Sequence, residues 1–215
     1  MVCAPRTMAM VYRLLLLLTL GLTSCANVQT TSNNAFRYGH KIVTGDIPRI
    51  SRFLTEKIRN LTRNDGSFWN ADEIQGNPSV VISLGEQMVY LFKNGYLVGG
   101  SPISSGAEGY NTLPGRYRIL EKDIDHKSSI YGDYEDFAGN VICQNIDNRK
   151  DPRPPGTRFE GAKMYYFMRV YRGVGMHQGY LPGYAASHGC IRLPGHMAEK
   201  FYREVRVGTP VDINP

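Results

Sequence analysis

Short apolar runs separated by turn residues dominate the chain from Ser79 onward. The runs VVISLG, MVYLFK and YLVGGSPISS follow one another, and Asn94-Gly95 between the second and third is a strong hairpin signal. Further strands are predicted over residues 116–121, 140–146, 164–171 and 207–213. The pattern therefore predicts a mainly β fold for this part of the chain.

Helical periodicity occurs in two places. From Asp46 onward the apolar residues that share one helical face are Ile47, Ile50, Phe53, Leu54, Ile58 and Leu61. A second helix is predicted from Pro194 to Val205, with the proline in its first turn. Segments 62–78 and 147–161 contain glycine and proline turn signals, and both are predicted to be loops.

The N-terminus has the features of an export signal. Arg6 and Arg13 precede an apolar run, residues 14–22, that is shorter than the about 20 residues needed to span a bilayer. The Leu-Thr-Ser-Cys sequence that ends at Cys25 resembles the bacterial lipoprotein signal, in which the cysteine is lipidated and becomes the first mature residue. We expect removal of residues 1–24 and a lipid on Cys25; plain secretory cleavage nearby is the alternative.

Net charge narrows the class of partner. The whole chain has 25 basic and 19 acidic residues, a formal charge of +6. Because residues 1–24 contain two arginines and no acidic residue, the mature chain would keep 23 basic residues and a charge of +4. Without a run of lysine or arginine, this charge argues against nucleic acid as a partner. It suits an anionic envelope polymer or a membrane surface, or it is ordinary solubility charge.

Cysteine usage leaves two thiols in the predicted mature domain. Cys3 would be lost with the signal and Cys25 would be lipidated, so Cys143 and Cys190 remain. In an oxidising compartment the two can form a disulfide. Alternatively, Cys190 is a reactive thiol and Cys143 is a buried, inert residue. The residues alone leave both alternatives open.

Cys190 has neighbours that can activate a thiol. His177 lies thirteen residues earlier, and the glycines and proline between them allow the chain to fold back, so the two side chains can meet. We expect Cys190 to lie just before the N-terminus of the helix at Pro194, where free N–H groups favour negative charge. Gly189 would let a carbonyl carbon approach the backbone without a Cβ in the way.

A metal site is the alternative for the same residues. Its zinc ligands would be His177, His188, Cys190 and His196. The paired Cys-x-x-Cys or His-x-x-x-His spacing typical of zinc ligands is absent, and Arg192 nearby would add unfavourable charge. The thiol and imidazole pair is therefore the preferred hypothesis.

The stretch around Cys190 resembles a known active-site signature. SHGCIRL, with MHQG upstream, is similar to the signature of the YkuD-like L,D-transpeptidases, which cross-link bacterial peptidoglycan. The resemblance extends from VVISLGEQMVYLFKNGYLVGGSPISSG through NTLPGRYRI to the closing VGTPVDI, which match the family's opening hairpin, Thr-Pro-x-Gly turn and last strand. One departure is that Leu113 separates Thr112 from Pro114. The interval from His177 to Cys190 is also shorter than in many relatives.

The resemblance implies the architecture and the limits of the domains. We expect a mainly β catalytic domain of two-sheet, sandwich-like YkuD type over residues 77–215, with one or two flanking helices. Before it we expect a signal at 1–24, a flexible tether at 25–45, and a helical arm with its linker at 46–76.

The resemblance also implies roles for individual residues. Cys190 matches the nucleophile and His177 the general base and acid. Arg192 matches a motif arginine that fixes the loop or binds a substrate carboxylate. The residues expected to form the oxyanion site and the acyl-donor pocket are Ser187, His188, Gly189, Tyr166 and Met168. With these roles, Cys143 is expected not to be bridged to Cys190.

The implied activity is acyl transfer through a thioester, from a peptidoglycan stem tetrapeptide to an amine of a neighbouring stem or of an envelope protein. No cofactor or metal is implied, and nucleic acid is not an expected partner. A hydrolytic L,D-carboxypeptidase and a non-catalytic wall-binding lipoprotein are the alternatives. We expect the protein on the periplasmic side of the cell envelope, held to a membrane by its lipid.

Overall fold

The computed structural model describes residues 63–215. Its strands are β1 (Phe68–Trp69), β2 (Pro78–Ser83), β3 (Met88–Lys93), β4 (Tyr96–Pro102), β5 (Gly115–Arg118), β6 (Glu121–Asp136), β7 (Val141–Asp147), β8 (Thr157–Tyr171), β9 (Val174–Gln178), β10 (Ile191–Leu193) and β11 (Pro210–Asn214). A 3-10 helix spans Ala71–Glu73, and helix α1 spans Gly195–Glu204. Within this part of the chain no helix is long and apolar enough to cross a membrane. The predicted signal, tether and helix from Asp46 lie outside the described residues.

The described residues divide into two compact units. The smaller unit consists of residues 127–163, and the larger unit consists of residues 63–126 and 164–215. Strands β6 and β8 contribute residues to both units. All the residues that the sequence assigns to the site, apart from Cys25, belong to the larger unit.

The first sheet of the larger unit has the strand order β1-β4-β3-β2-β11-β5. Strand β11 is parallel to β2, and the other neighbours are antiparallel. Asn94 and Gly95 both adopt positive φ, of 48° and 83°, as a tight hairpin turn between β3 and β4 requires. The predicted hairpin is therefore confirmed.

The second sheet of the larger unit contains β10, β9, β8 and the start of β6, in that order. Strand β10 is parallel to β9, whereas β9 and β8 are antiparallel. Both sheets and α1 contribute to one buried apolar core, whose members include Val80, Ile82, Leu91, Met168, Val170, Met176, Ile191, Leu193, Met197, Phe201, Val211 and Ile213. The predicted mainly β, two-sheet architecture with a flanking helix is confirmed.

The smaller unit is built on the antiparallel pair β6 and β7. Its small core contains Tyr134, Cys143 and Ile146, and the Tyr134 hydroxyl donates a hydrogen bond to the Asp151 carbonyl at 2.8 Å. Strand β6 is not predicted from the sequence, because most of its residues are charged or polar and no apolar alternation is visible.

Two predicted loops are partly wrong. Segment 62–78 contains β1 and the 3-10 helix, and β8 begins at Thr157 inside the predicted loop 147–161. Strands β9 and β10 are also missing from the sequence prediction, because five and three residues are too few to show a period of two. The helix predicted from Pro194 to Val205 is confirmed, with Pro194 as its N-cap.

The buried Lys93 side chain links the first sheet to the 3-10 helix and to α1. Lys93, at the end of β3, is only 5% exposed. Its ammonium group donates a hydrogen bond to the Ala71 carbonyl at 2.7 Å and forms an ion pair with Glu204 in α1 at 2.8 Å. A charge held this far from water needs both partners, so the interaction fixes α1 against the sheet.

We predict that Glu204→Gln lowers the free energy of unfolding by about 2 kcal/mol, because it leaves a buried ammonium group without its counter-charge. Urea unfolding followed by circular dichroism measures the effect. Glu199→Gln is the matched control, since Glu199 pairs with the exposed Arg203 on the same helix at 2.5 Å. It should change stability by less than about 0.5 kcal/mol. Equal effects of the two substitutions would contradict the assignment.

Candidate active site

Parallel pairing of β9 with β10 brings the histidine and the cysteine of the motif to one face of the second sheet. Arg192 pairs with His177 and Ile191 pairs with Met176, and Cys190 directly precedes β10. Met176 and Ile191 belong to the buried core. Because side chains alternate between the two faces of a sheet, Cys190 and His177 both lie on the opposite face, which we call the site face.

Strand β8 continues the site face. Arg169 pairs with Gly175, and the same register puts the Phe167 ring beside His177, with ring centroids 6.3 Å apart. Across β10, β9 and β8 the site face therefore carries one row of Cys190, Gly175 and Arg169 and a second row of Arg192, His177 and Phe167. His126, in β6, stacks on Phe167 with ring centroids 4.2 Å apart, and its Nδ1–H donates a hydrogen bond to the Asp123 carboxylate at 3.0 Å.

Side-chain hydroxyl groups fix the loop that precedes the thiol. The Ser187 hydroxyl is buried, accepts a hydrogen bond from the Gly189 N–H at 3.0 Å and donates one to the Cys190 carbonyl at 2.5 Å. The Thr112 hydroxyl donates to the Gly189 carbonyl at 2.8 Å. Ser187 and Gly189 therefore shape this loop, as their motif positions predict. Thr112 adds a hydrogen bond to the loop that the sequence did not indicate.

Gly189 is required by backbone conformation. Its φ is +110°, a value that side chains rarely tolerate. A Cβ on this residue would lie 3.4 Å from the Tyr110 carbonyl oxygen, which is an ordinary contact. Backbone conformation is therefore one reason for glycine here, and the expectation that Gly189 lets a substrate carbonyl approach stays a prediction.

The segment after β4 forms backbone hydrogen bonds with the loop before Cys190 and with β10. The backbones of Ser104 and Arg192 exchange two hydrogen bonds of 3.0 Å, and the Ser105 carbonyl accepts the N–H groups of Ala186 and Ser187 at 3.0 Å. Strand β10 is therefore held on both edges, by β9 on one side and by Ser104 on the other. His188 is exposed, and its ring contacts the Tyr110 ring edge-on, with ring centroids 4.6 Å apart.

His177 is buried and its ring orientation is fixed. Nδ1 lies 2.7 Å from the Gln178 carbonyl oxygen, and because a carbonyl only accepts, Nδ1 carries the proton. This leaves Nε2 as a hydrogen-bond acceptor. Burial is the main cause that lowers the pKa of His177 to about 4, with smaller contributions from the charges of Arg192 and His126. The imidazole is therefore neutral at physiological pH.

The Cys190 thiol is also neutral at rest. Burial raises its pKa, and the Gly175 N–H together with the charges of Arg192 and Arg169 offsets this only in part. The thiol donates a weak hydrogen bond to the Gly173 carbonyl, with a sulfur to oxygen distance of 3.8 Å. Neutral His177 therefore does not hold Cys190 as a thiolate at rest.

Three further expectations about the site are corrected. Strand β10 separates Cys190 from α1, so the N-terminus of the helix does not lie at the thiol. Met168 is completely buried in the core, and Tyr166 packs against Tyr202 of α1 with ring centroids 5.8 Å apart. Both side chains lie on the core side of the sheet, so neither lines a pocket beside Cys190 and His177.

The surroundings of Cys190 and Arg192 bear on three alternatives from the sequence, namely a disulfide, a salt bridge that fixes the loop, and a metal site. Cys190 is a free cysteine, so it is not bridged to Cys143, as predicted. The Arg192 guanidinium has no ion-pair partner among residues 63–215, and its side chain lies against Gly179. Within the same range no three histidine, cysteine or acidic side chains form a group that could hold a metal ion. The predicted lipidation site, Cys25, lies outside the described residues.

The sequence did not identify Phe167, Arg169, Gly175 and His126 as parts of the site. Counting back from His177 across the turn at Arg172 and Gly173, where Tyr171 pairs with Val174, would put Met168 opposite His177. An irregularity between Arg169 and Tyr171 shifts the register by one residue and puts Phe167 there instead, and no sequence signal indicates this shift.

Comparison with known families gives the site its context. A family model for the L,D-transpeptidase catalytic domain, YkuD, matches residues 77–213. The chain belongs to the YkuD L,D-transpeptidase family. The match covers both strands of the motif, β9 and β10, and the Ser104 segment that clamps them.

Solved structures of L,D-transpeptidases resemble the chain at low sequence identity. The enzyme from Mycobacterium smegmatis is 20% identical, with a TM-score of 0.49, over 65% of this chain and 59% of that one. The enzyme from Stackebrandtia nassauensis is 18% identical, with a TM-score of 0.48, over 84% and 75% of the two chains. A cysteine-to-serine mutant from Enterococcus faecium is 21% identical, with a TM-score of 0.48, over 64% and 50%. Comparison with curated protein sequences gives no match.

We predict that alkylation of Cys190 by iodoacetamide rises only toward alkaline pH. Burial raises the pKa of the thiol, and the imidazole, with its pKa lowered to about 4, supplies no positive charge to hold a thiolate at neutral pH. Mass spectrometry of the peptide that contains Cys190, across a series of pH values, measures the rate. A reactive plateau between about pH 5 and 7, as a thiolate–imidazolium pair would produce, would contradict the neutral resting state.

Proposed function

We propose that this YkuD-family chain is a cysteine-dependent L,D-transpeptidase that uses peptidoglycan stem tetrapeptides as acyl donors. One observation carries the proposal. The parallel register of β9 and β10 puts a free thiol and the unprotonated Nε2 edge of a neutral imidazole on the same face of one sheet. These are the two groups that nucleophilic acyl transfer requires, a nucleophile and a base.

The first half-reaction forms a thioester. Cys190 Sγ attacks the carbonyl carbon of the third, L-configured residue of the stem, and the thiol proton passes to His177 Nε2. Because both groups are neutral at rest, this proton moves as the new carbon–sulfur bond forms. The bond between the carbonyl carbon and the nitrogen of the terminal D-alanine then breaks, and the imidazolium returns the proton to the leaving amine.

The second half-reaction releases the acyl group. An amine of a neighbouring stem, or a lysine of an envelope protein, attacks the thioester carbonyl and gives its proton to His177. The carbon–sulfur bond breaks, and the sulfur takes the proton back. Attack by water instead of an amine would give the L,D-carboxypeptidase product.

The surroundings of the pair support binding of an anionic peptide. Arg192 lies beside His177 and has no ion-pair partner within residues 63–215, which favours its role as a carboxylate-binding residue over its role as a salt bridge that fixes the loop. The loop instead depends on Ser187 and Thr112, whose hydrogen bonds hold Gly189 in its positive-φ conformation. A rigid loop is what stabilisation of a developing oxyanion requires.

We predict that Cys190→Ala abolishes both cross-linking and acyl-enzyme formation. His177→Ala should leave a folded protein whose turnover is lower by about a hundredfold or more, because the base is lost. Incubation with a carbapenem, followed by intact-mass analysis, should show one adduct on the wild-type chain and none on Cys190→Ala. Muropeptide analysis after incubation with stem peptides reports the cross-links and separates amine acceptors from water.

His196→Ala is the matched histidine control, because His196 contacts Asp65 and Ser67 away from the thiol, at 3.3 Å in both cases. This variant should form the adduct as the wild type does. Stoichiometric bound zinc, no adduct on the wild-type chain and unfolding by a chelator would favour the metal site and contradict the proposal. Binding of stem peptides without any turnover would favour the non-catalytic wall-binding protein.

The lipoprotein signal around Cys25 supports a membrane-anchored location on the periplasmic side, where peptidoglycan is accessible. We predict that a radioactive fatty acid labels the chain in its native host and that Cys25→Ala removes the label. Cys3→Ala is the control and should leave the label in place. Recovery of the whole wild-type population as unlabelled, soluble protein would contradict the lipid anchor.

A further inference from the structure

The first sheet of the larger unit has buried apolar side chains on both of its faces. One face belongs to the main core, which includes Val80 and Leu91. Because side chains alternate along a strand, the neighbouring residues Val81, Tyr90 and Phe92 point the other way. The cluster on this second face, which we call the outer cluster, contains Phe68, Val81, Tyr90, Phe92 and Leu97.

The outer cluster needs an element that covers it. Within residues 63–215 its members and the apolar residue packed against them come from strands β1 to β4, and none comes from the second sheet or from α1. Each member is nevertheless at most 8% exposed. Neighbouring strands shield only the sides of such side chains, so a sheet face becomes this dry only when another element packs on it.

We infer that the helix predicted from Asp46, which lies outside the described residues, docks on the outer cluster through its apolar face. From Ile47 to Leu61 this face is about 21 Å long, at 1.5 Å per residue. The four strands that carry the outer cluster span about 14 Å between the axes of the outermost two. One helix of about four turns is therefore long enough to cross the whole cluster.

A tight turn brings the preceding chain to the edge of the outer cluster. The Arg63 N–H donates a hydrogen bond to the Ser67 carbonyl at 2.7 Å, and the Asp65 carboxylate accepts the Ser67 N–H at 3.0 Å. The chain therefore reverses its direction between Arg63 and Ser67. Phe68, the next residue, is itself a member of the cluster. Because Leu61 lies only two residues before the turn, the predicted helix ends beside the face that needs a cover.

The limits of the apolar area favour one helix over a second copy of the chain. The cross-strand row that contains Phe68, Tyr90 and Val81 continues into Asp212 of β11 and Arg116 of β5. A second sheet packed face to face would also bury these two charged side chains, at a cost in desolvation. A helix about 10 Å wide covers the apolar strands and leaves the charged edge in water.

The docked helix belongs to the packed domain and not to the tether. The predicted boundary between residues 76 and 77 then divides one packed body, and only residues 25–45 connect this body to the lipid proposed at Cys25. Fully extended, these residues reach about 70 Å. This limit on the distance between site and membrane rests on the proposed lipid, whereas the docking of the helix does not.

The test uses the full chain with the photo-crosslinking residue p-benzoyl-L-phenylalanine in place of Leu54, at the centre of the apolar face. After irradiation, mass spectrometry should find crosslinks to peptides of β2, β3 or β4. An equal mixture of isotopically light and heavy chains separates contacts within one chain from contacts between copies. The matched control has the same residue in place of Arg52, on the polar face of the helix, and should give no crosslink to these strands.

Hydrogen exchange of the full chain is the second measurement. Leu54→Asp should raise the exchange rates of amides in β1 and β4 by about tenfold or more, because a carboxylate does not enter an apolar contact. Arg52→Asp puts the same carboxylate on the polar face and should exchange as the wild type does.

Two results would overturn the inference. Crosslinks that join light to heavy chains would assign the outer cluster to a second copy. Absence of any crosslink to β2, β3 or β4, with equal exchange in Leu54→Asp and Arg52→Asp, would assign it to another element. Neither result bears on the proposed transpeptidase function, because neither measurement involves Cys190.

Discussion

The site depends on one interaction, the parallel backbone pairing of β9 with β10. This pairing decides which side chains share a face, and a shift of one residue would turn Cys190 into the apolar core and leave His177 opposite a core residue. The structure protects the register from both sides, because Ser104 pairs with Arg192 along the other edge of β10. Ser104 lies two residues after the end of β4, so the first sheet fixes the register of the second.

Burial then sets the chemistry of the pair. It lowers the pKa of His177 and raises that of Cys190, so the site rests as a neutral thiol and a neutral imidazole. A neutral thiol is less open to oxidation than a thiolate, which would suit the exported location that we propose. The cost is that the nucleophile forms only when a substrate carbonyl is in place. Arg192 and Arg169 add positive charge on the same face of the sheet.

The sequence predicts the fold class, the hairpin at Asn94-Gly95, helix α1 and the pair of His177 and Cys190. These features have strong local signals, such as a turn dipeptide, a helical period or a motif. The face of β8 could not be read in the same way, because Tyr166, Phe167 and Met168 are all large and apolar or aromatic, and so the phase of the strand is hidden.

Other parts of the site depend on contacts between distant segments. Thr112 and Ser187 meet across 75 residues of chain around the Gly189 loop, and no local pattern in either segment indicates the other. Strands as short as β10 exist only because their neighbours supply the hydrogen bonds. The expected place of Cys190 at the N-terminus of α1 was wrong for the same reason, since three residues of tertiary pairing separate the two.

The central claim is that Cys190 carries the acyl group during turnover. Acid quenching of the wild-type chain during reaction with a stem tetrapeptide, followed by mass spectrometry of its peptides, tests this claim directly. The account predicts that the peptide containing Cys190 gains the mass of the donor without its terminal D-alanine, and that hydroxylamine removes this mass, as it does for a thioester. Release of D-alanine at the full rate while the Cys190 peptide stays unmodified, and while Cys190→Ala remains active, would contradict it.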